Sequence, residues 1–209
     1  MIIDNIYSVV DEMIKTANKN NILELHALEL FCGDGKHYSA KFSKYCKSFT
    51  GCDIDEQNES MFYKNIPCGE FIEGDSVVMV KTSYFTKLDK NFNIISMDAP
   101  LCIFGNSYCE HFDIITQMKR LITTKCIIAF NIVMQPYTPS GGMNPKWIER
   151  RNKFYNTNDS LNLDLDYVFH FYCELFKSQD IIVHEMHIMP RAKKDKIDFL
   201  YFAFCVCET

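Results

Sequence analysis

The stretch HALELFCGDGKH, residues 26–37, constrains this chain more than any other. It reads as a buried strand that stops abruptly in a turn where the backbone must pass close to something. Leu28 and Leu30 can face a core while Glu29 ends on the rim. Gly33 and Gly35 lack a Cβ and tolerate the positive φ that a tight strand-to-helix turn demands. Tyr38, Phe42 and Tyr45 then recur at spacings of four and three, the pattern of a helix laid against that core. Strand, glycine turn and helix make a cradle of nucleotide size.

A second strand, 49–52, runs into Asp53, Ile54 and Asp55. Asp53 lies about 20 residues past the turn, where nucleotide-binding α/β units place an acid that accepts hydrogen bonds from ribose hydroxyls. The turn does not match the dinucleotide fingerprint G-x-G-x-x-G. Phe31 stands where the first glycine would, and nothing beyond Gly35 supplies the third. A pyrophosphate therefore fits poorly.

The rest of the chain continues the alternation. Ile2, Ile6, Val9, Val10, Met13, Ile14 and Ala17 recur at helical spacing, predicting an N-terminal amphipathic helix over 1–20 that packs on the domain or caps a cofactor. Strands are predicted at 26–31, 49–53, 69–73, 92–97 and 125–133, with helices at 36–47, 56–64, 77–85 and 109–122 between them. Such βαβ units build a parallel sheet with right-handed crossovers. Residues 135–145 hold three prolines and two adjacent glycines and read as a loop, followed by the basic segment KWIERRNKFY; 135–160 is expected to be a substrate-side insertion or lid. After a helix at 165–177, strands at 181–189 and 197–206 have only a polar turn between them, so they must pair antiparallel. The expected fold is α/β: one domain over 1–209, with a single seven-stranded, mostly parallel, doubly wound sheet ending in an antiparallel hairpin.

These residues resemble the class I S-adenosylmethionine-dependent methyltransferases. The family's first motif is an acid followed by a Gly-x-Gly turn, with a further acid closing the second strand; ELFCGDG aligns with it from Glu29 to Gly35, and Asp53 with the ribose acid. The Phe-Cys before the first retained glycine looks most like the form found in methyltransferases acting on bases of RNA or DNA. The resemblance implies S-adenosylmethionine as cofactor. It places Glu29 toward the methionine amino end, Phe31, Cys32, Gly33 and Gly35 along the turn, Asp53 at the ribose, Ile54 over one adenine face, and Asp75 and Ser76 beside the adenine. Asp98 joins them from the end of the fourth strand.

Acceptor chemistry is expected around DAPLCIFG, residues 98–105, where base-directed members carry their fourth motif. An Asp-Pro-Pro-aromatic form holds an exocyclic amine, and a Pro-Cys form supplies a thiolate. Here Asp98 and Pro100 fit the amine frame, but Ala99 replaces a proline and Leu101 the ring; Cys102 is one residue too late for the thiolate form. Asp98, Pro100 and Cys102 are the candidate catalytic residues, and Phe104, Lys146, Trp147, Arg150 and Arg151 the candidate acceptor-binding ones. Cations interleaved with aromatics suit a neutralised backbone and a stacked base; the alternative is an exposed basic helix whose rings return to the core.

Composition limits the remaining choices. With 209 residues and 47% hydrophobic content, the chain can bury one good core. Ten cysteines are scattered without a C-x-x-C pair or paired Cys/His spacing, so neither a disulfide framework nor a metal site is expected, and a reducing cytoplasm suits them. No apolar run is long enough to span a membrane, and the acidic N-terminus is unlike a signal peptide. A net charge of −5 argues against holding polyanions by bulk charge, though not against a local basic patch. The leading reading is methyl transfer to a base of RNA or DNA or a nucleotide-like group; the alternatives are methyl transfer to a small metabolite and a non-catalytic cofactor-binding partner subunit.

Overall fold

The computed structural model describes residues 5–36, 38–88, 90–98, 110–134, 145–190 and 200–209. In chain order these form α1 (Asn5–Lys19), β1 (His26–Leu30), α2 (Tyr38–Phe42), β2 (Ser48–Asp53), α3 (Glu59–Asn65), β3 (Glu70–Glu73), α4 (Ser76–Lys81), β4 (Ile94–Met97), α5 (Glu110–Ile115), β5 (Cys126–Val133), α6 (Pro145–Tyr155), α7 (Leu165–Lys177), β6 (Ile182–Pro190) and β7 (Leu200–Glu208). The strands make one seven-stranded sheet in the order β3-β2-β1-β4-β5-β7-β6. The first five strands are mutually parallel, and β7 runs antiparallel to both β5 and β6. Chain order reverses between β1 and β4, so a crevice is expected beyond their carboxyl ends.

Strand alternation divides the core into two layers. Leu28, Leu30, Ile95, Met97, Ile128 and Phe130 face one side, where they meet Val80 of α4, Ile114 and Ile115 of α5, Tyr155 of α6 and Val168, Tyr172 and Phe176 of α7. Ala27, Phe49, Ile94, Ile127 and Ala129 face the other, under Val10 and Met13 of α1, Tyr38 and Phe42 of α2 and Phe62 of α3. Several of these helices span fewer than two turns, too short to persist alone. Burial holds them: each fully enclosed Ile or Phe side chain contributes about 1.5–3 kcal/mol.

Four helices predicted as continuous are divided; 56–64 is a 3-10 turn at Glu56–Asn58 followed by α3. The 36–47 segment is α2 followed by a 3-10 turn at Ser43–Tyr45; 77–85 is α4 and then a separate turn at Phe85–Lys87; 109–122 is α5 and then a turn at Met118–Arg120. At α4 the cause is visible. Ser83 takes φ +55, its N–H donates to Val80 O, and Tyr84 N–H donates to Met79 O, the bonding of a Schellman cap. Asn21, Asn156 and Asp180 close α1, α6 and α7 with the same left-handed geometry. Glycine is the usual signal for such a stop, and none of the four positions carries one.

The hairpin forms as expected, with a register shift between Val183 and Glu185 in β6; its turn at 191–199 lies outside the described residues. No described helix is long and apolar enough to cross a membrane.

Candidate active site

The carboxyl ends of β1 to β4 bring Glu29, Asp53, Asp75 and Asp98 to one edge of the sheet. The turn after β1 is built by hydrogen bonds to β2. Cys32 N–H donates to Cys52 O at 3.0 Å, extending the strand pairing one step past Leu30, and Gly35 N–H donates to Cys32 O at 3.1 Å. Gly33 N–H donates to Asp53 Oδ2 at 2.8 Å. The other oxygen of Asp53 accepts from Asp55 N–H at 3.0 Å and from the Asn58 amide at 3.2 Å. Asp53 is thus fixed at the mouth of the crevice by the turn it faces.

Phe31, Gly33 and Gly35 have φ of +61, +53 and +70. Phe31 therefore adopts the left-handed backbone that a glycine would take at the first position of the turn, at a cost of about 1–2 kcal/mol for a residue with a Cβ. Its ring is partly buried against the α4–α7 side of the core, which offsets that cost. The bulk of Phe31 is directed into the protein, and the glycine path is kept. The two glycines differ. A Cβ on Gly35 would lie 3.1 Å from both Ile66 Cδ1 and Phe62 Cδ2, whereas a Cβ on Gly33 would meet nothing within 4 Å among the described residues. Gly35 serves packing, and Gly33 faces open space.

Glu29, expected on the rim, is instead buried at 1% exposure, registered with Gly51 on β2 and Ser96 on β4. Tyr38 of α2 lies over this place with 1% exposure. Burial drives its hydroxyl well above the usual phenolic pKa, Ser96 opposes the rise, and the negative charges of Glu29 and Asp98 add to it. Asp98 accepts a hydrogen bond at 2.7 Å from the amide of Asn131, a β5 residue only 2% exposed. Sequence reasoning passed over Asn131, Ser96 and Tyr38. The available signal was a polar residue interrupting an apolar strand, as Asn131 interrupts CIIAFNIV.

Around the expected adenine pocket, Ile54 is 70% exposed, as a side chain kept to cover a ligand would be. Asp75 caps α4, accepting from Val77 and Val78 N–H at 2.8 and 3.1 Å. Ser76 differs from expectation: its side chain is buried and its hydroxyl donates to Cys52 Sγ at 3.3 Å, so only its backbone can meet a ligand. Cys32 is also enclosed, and burial pushes its thiol up, with Glu29 and Asp53 adding to the rise. Cys52 is pushed up to about 11 by burial, against the Ser76 hydrogen bond. Neither thiol is a nucleophile at neutral pH.

The acceptor residues divide. Pro100, Cys102 and Phe104 lie outside the described residues, as does the side chain of Trp147. On α6, Lys146 is exposed, while Arg150 pairs with Asp113 of α5 at 2.5 Å. Arg151 requires a correction. It is 1% exposed, donates from Nε to Ser160 O and from Nη2 to Met134 O, both at 3.0 Å, and sits 4.8 Å over the Tyr155 ring. It ties α6 to the end of β5 and to the following loop, and it is not an acceptor contact. The described rings of the segment, Phe154 and Tyr155, return to the core, where Phe154 stacks on Phe112 at 3.8 Å. A groove of about 520 Å³ lies between α5 and α6, lined by Phe112, Asp113, Lys146, Arg150 and Lys153 among others.

No protein-family model matches this sequence, and no curated protein matches it. Solved structures do. The N-methyltransferase NodS from Bradyrhizobium japonicum WM9 superposes with a TM-score of 0.57 at 9% identity, over 97% of this chain and 96% of that one. Magnesium protoporphyrin IX methyltransferase, ChlM, from Synechocystis PCC 6803 with bound S-adenosylhomocysteine gives 0.56 at 11% identity, over 98% and 82%. A candidate RNA methyltransferase, PH1948 from Pyrococcus horikoshii, gives 0.58 at 10% identity, over 96% and 83%. With its strand order and reversed β7, the chain has the fold of the class I S-adenosylmethionine-dependent methyltransferases.

Proposed function

We propose that this protein transfers a methyl group from S-adenosylmethionine to an acceptor held beside Asp98. The observation that carries the reading is the clasp of Asp53 on Gly33, at a left-handed turn with open space over the glycine. Open space there lets a ligand approach the backbone, and the adjacent carboxylate offers acceptor oxygens to a diol. A group with a ribose and an amino-acid end fits this edge: Asp53 would hold the ribose, Glu29 would lie toward the amino end, and Ile54 would cover the base. When bound, S-adenosylmethionine supplies a methyl activated on a sulfonium. The protein's own part is placement, with the Asp98 carboxylate orienting the acceptor and accepting hydrogen from its N–H or O–H.

The acceptor that suits the surface best is small or nucleotide-like. Of the basic residues in KWIERRNKFY, Arg151 is buried and Arg150 is paired with Asp113. Among the described residues of this segment the exposed cations are Lys146 and Lys153, and a chain of net charge −5 does not favour holding a polymer by bulk charge. ChlM, a magnesium protoporphyrin IX methyltransferase of similar fold, accords with a small acceptor. A base of RNA or DNA is the second reading, favoured by those two exposed lysines beside the α5–α6 groove.

Incubation with methyl-labelled S-adenosylmethionine and separate pools of RNA, DNA, protein and metabolites tests the reading by where the label goes. Label in metabolites supports the first acceptor. Label in nucleic acid, with binding that falls steeply with salt, supports the second. Cofactor binding without transfer to any pool identifies a non-catalytic partner subunit, and tight NAD binding in its place overturns the cofactor assignment.

A further inference from the structure

We propose that Asn131 is a positioning residue for the acceptor, acting through Asp98; the inference rests on the methyltransferase reading above. Ser96 on β4 is registered with Ala129 on β5, so two residues further along the same face Asp98 comes opposite Asn131. The Asn131 amide reaches it at 2.7 Å. Asp98 has left the regular strand and stands at the crevice edge, half-buried, while Asn131 is inside the sheet and 2% exposed. One partner lies past the end of its strand and the other within a buried strand.

An amide buried in an otherwise apolar strand carries a desolvation cost, which a hydrogen bond to a charged oxygen offsets. The position is otherwise suited to an aliphatic side chain: Asn131 is registered with Phe202 of β7, which packs against the Tyr38 ring at 5.2 Å. A carboxylate at the end of a strand samples several rotamers, and only some of them aim it at one acceptor atom. Anchoring one oxygen to the sheet restricts that choice before the acceptor arrives, and preorganisation of this kind favours the reacting geometry over the merely bound one. Among the described residues, the titratable groups that act on one another around this place are Glu29 from β1, Tyr38 from α2, Cys46 after α2 and Asp98 itself.

The test compares wild type with Asn131→Leu, Asn131→Asp, Asn131→Ser, Asp98→Ala and the Asp98→Ala/Asn131→Leu double variant. Methyl label transferred into the pools is measured beside S-adenosylhomocysteine affinity and melting curves. Asn131→Leu should lower turnover about 10- to 100-fold, the kinetic equivalent of one hydrogen bond to a charged group, with product affinity unchanged. The double variant should be no slower than Asp98→Ala, because Asn131 has nothing left to act through. Asn131→Ser retains a donor and should recover part of the loss, which also guards against a leucine variant that fails to fold. Asn131→Asp keeps the shape but sets two carboxylates together. Its rate relative to wild type should recover as the pH falls and the pair comes to share a proton. A wild type that transfers label while Asn131→Leu matches it, or a double variant slowed by the product of both effects, overturns this inference alone. A wild type that binds the product but labels no pool overturns the methyltransferase reading and this inference with it.

Discussion

Replacing Gly33 with valine separates the cost of the turn from its use. Gly33 sits at φ +53, and a Cβ there meets nothing within 4 Å. The added Cβ therefore meets no described residue, and the cost within the chain is the strain of a β-branched residue in the left-handed region, about 2 kcal/mol. For a chain of this length that lowers the melting temperature by roughly 4–8 °C. Asp53 still accepts from the backbone N–H, so the turn keeps its clasp. The valine side chain nevertheless projects into the space where the ligand would approach, and stabilisation by S-adenosylhomocysteine should disappear. Gly35→Ala supplies the contrast: φ is +70 and its Cβ meets Ile66 and Phe62 at 3.1 Å, so the fold suffers more while the ligand surface is untouched. Melting curves with and without saturating S-adenosylhomocysteine read both effects, since a ligand specific for the folded state raises the midpoint by mass action. A folded Gly33→Val protein that keeps the full ligand-induced shift refutes the argument, because the turn then does not approach the ligand.

Asp53→Ala should weaken S-adenosylmethionine and S-adenosylhomocysteine by about 1–3 kcal/mol, the scale of a lost charge-assisted hydrogen bond; calorimetry showing wild-type affinity removes Asp53 from the ribose site. Arg151→Met should destabilise the fold by about 2–4 kcal/mol through two buried carbonyls left without their donor and a lost cation–π contact, and a urea midpoint matching wild type contradicts the structural role assigned to it. Glu185 has its pKa lowered chiefly by the hydrogen bond from Lys19, against a smaller opposing effect of burial. Its contribution is present above the ordinary value of 4.5 and lost as pH falls through the lower folded value; Glu185→Gln should leave a shallower acid limb in stability against pH, and superimposable limbs refute the link between α1 and β6.

Much of the fold was legible because it depends on local periodicity. Alternation at Leu28 and Leu30, the glycine pair after them, and two strands joined by a polar turn are each read within a dozen residues, and together they admit few sheets. Asp53 was found by its offset from the turn, since one βαβ unit sets that distance. Helix ends were harder: Asn21, Ser83, Asn156 and Asp180 cap by a backbone geometry that their side chains do not announce. The left-handed path of Phe31 was hidden likewise, because burial of its ring against the core is what makes the strained backbone affordable. Arg151 looked like a surface cation in a basic segment, and only the packing of α6 on β5 shows it enclosed among carbonyls. Asn131 and Asp98 are 33 residues apart and meet through the register of β4 on β5. Local sequence determined the strands, the turn and the order of the acids; which side chains confront one another across the sheet was decided by tertiary structure, because register and strand order set contacts between residues whose neighbours in sequence carry no record of them.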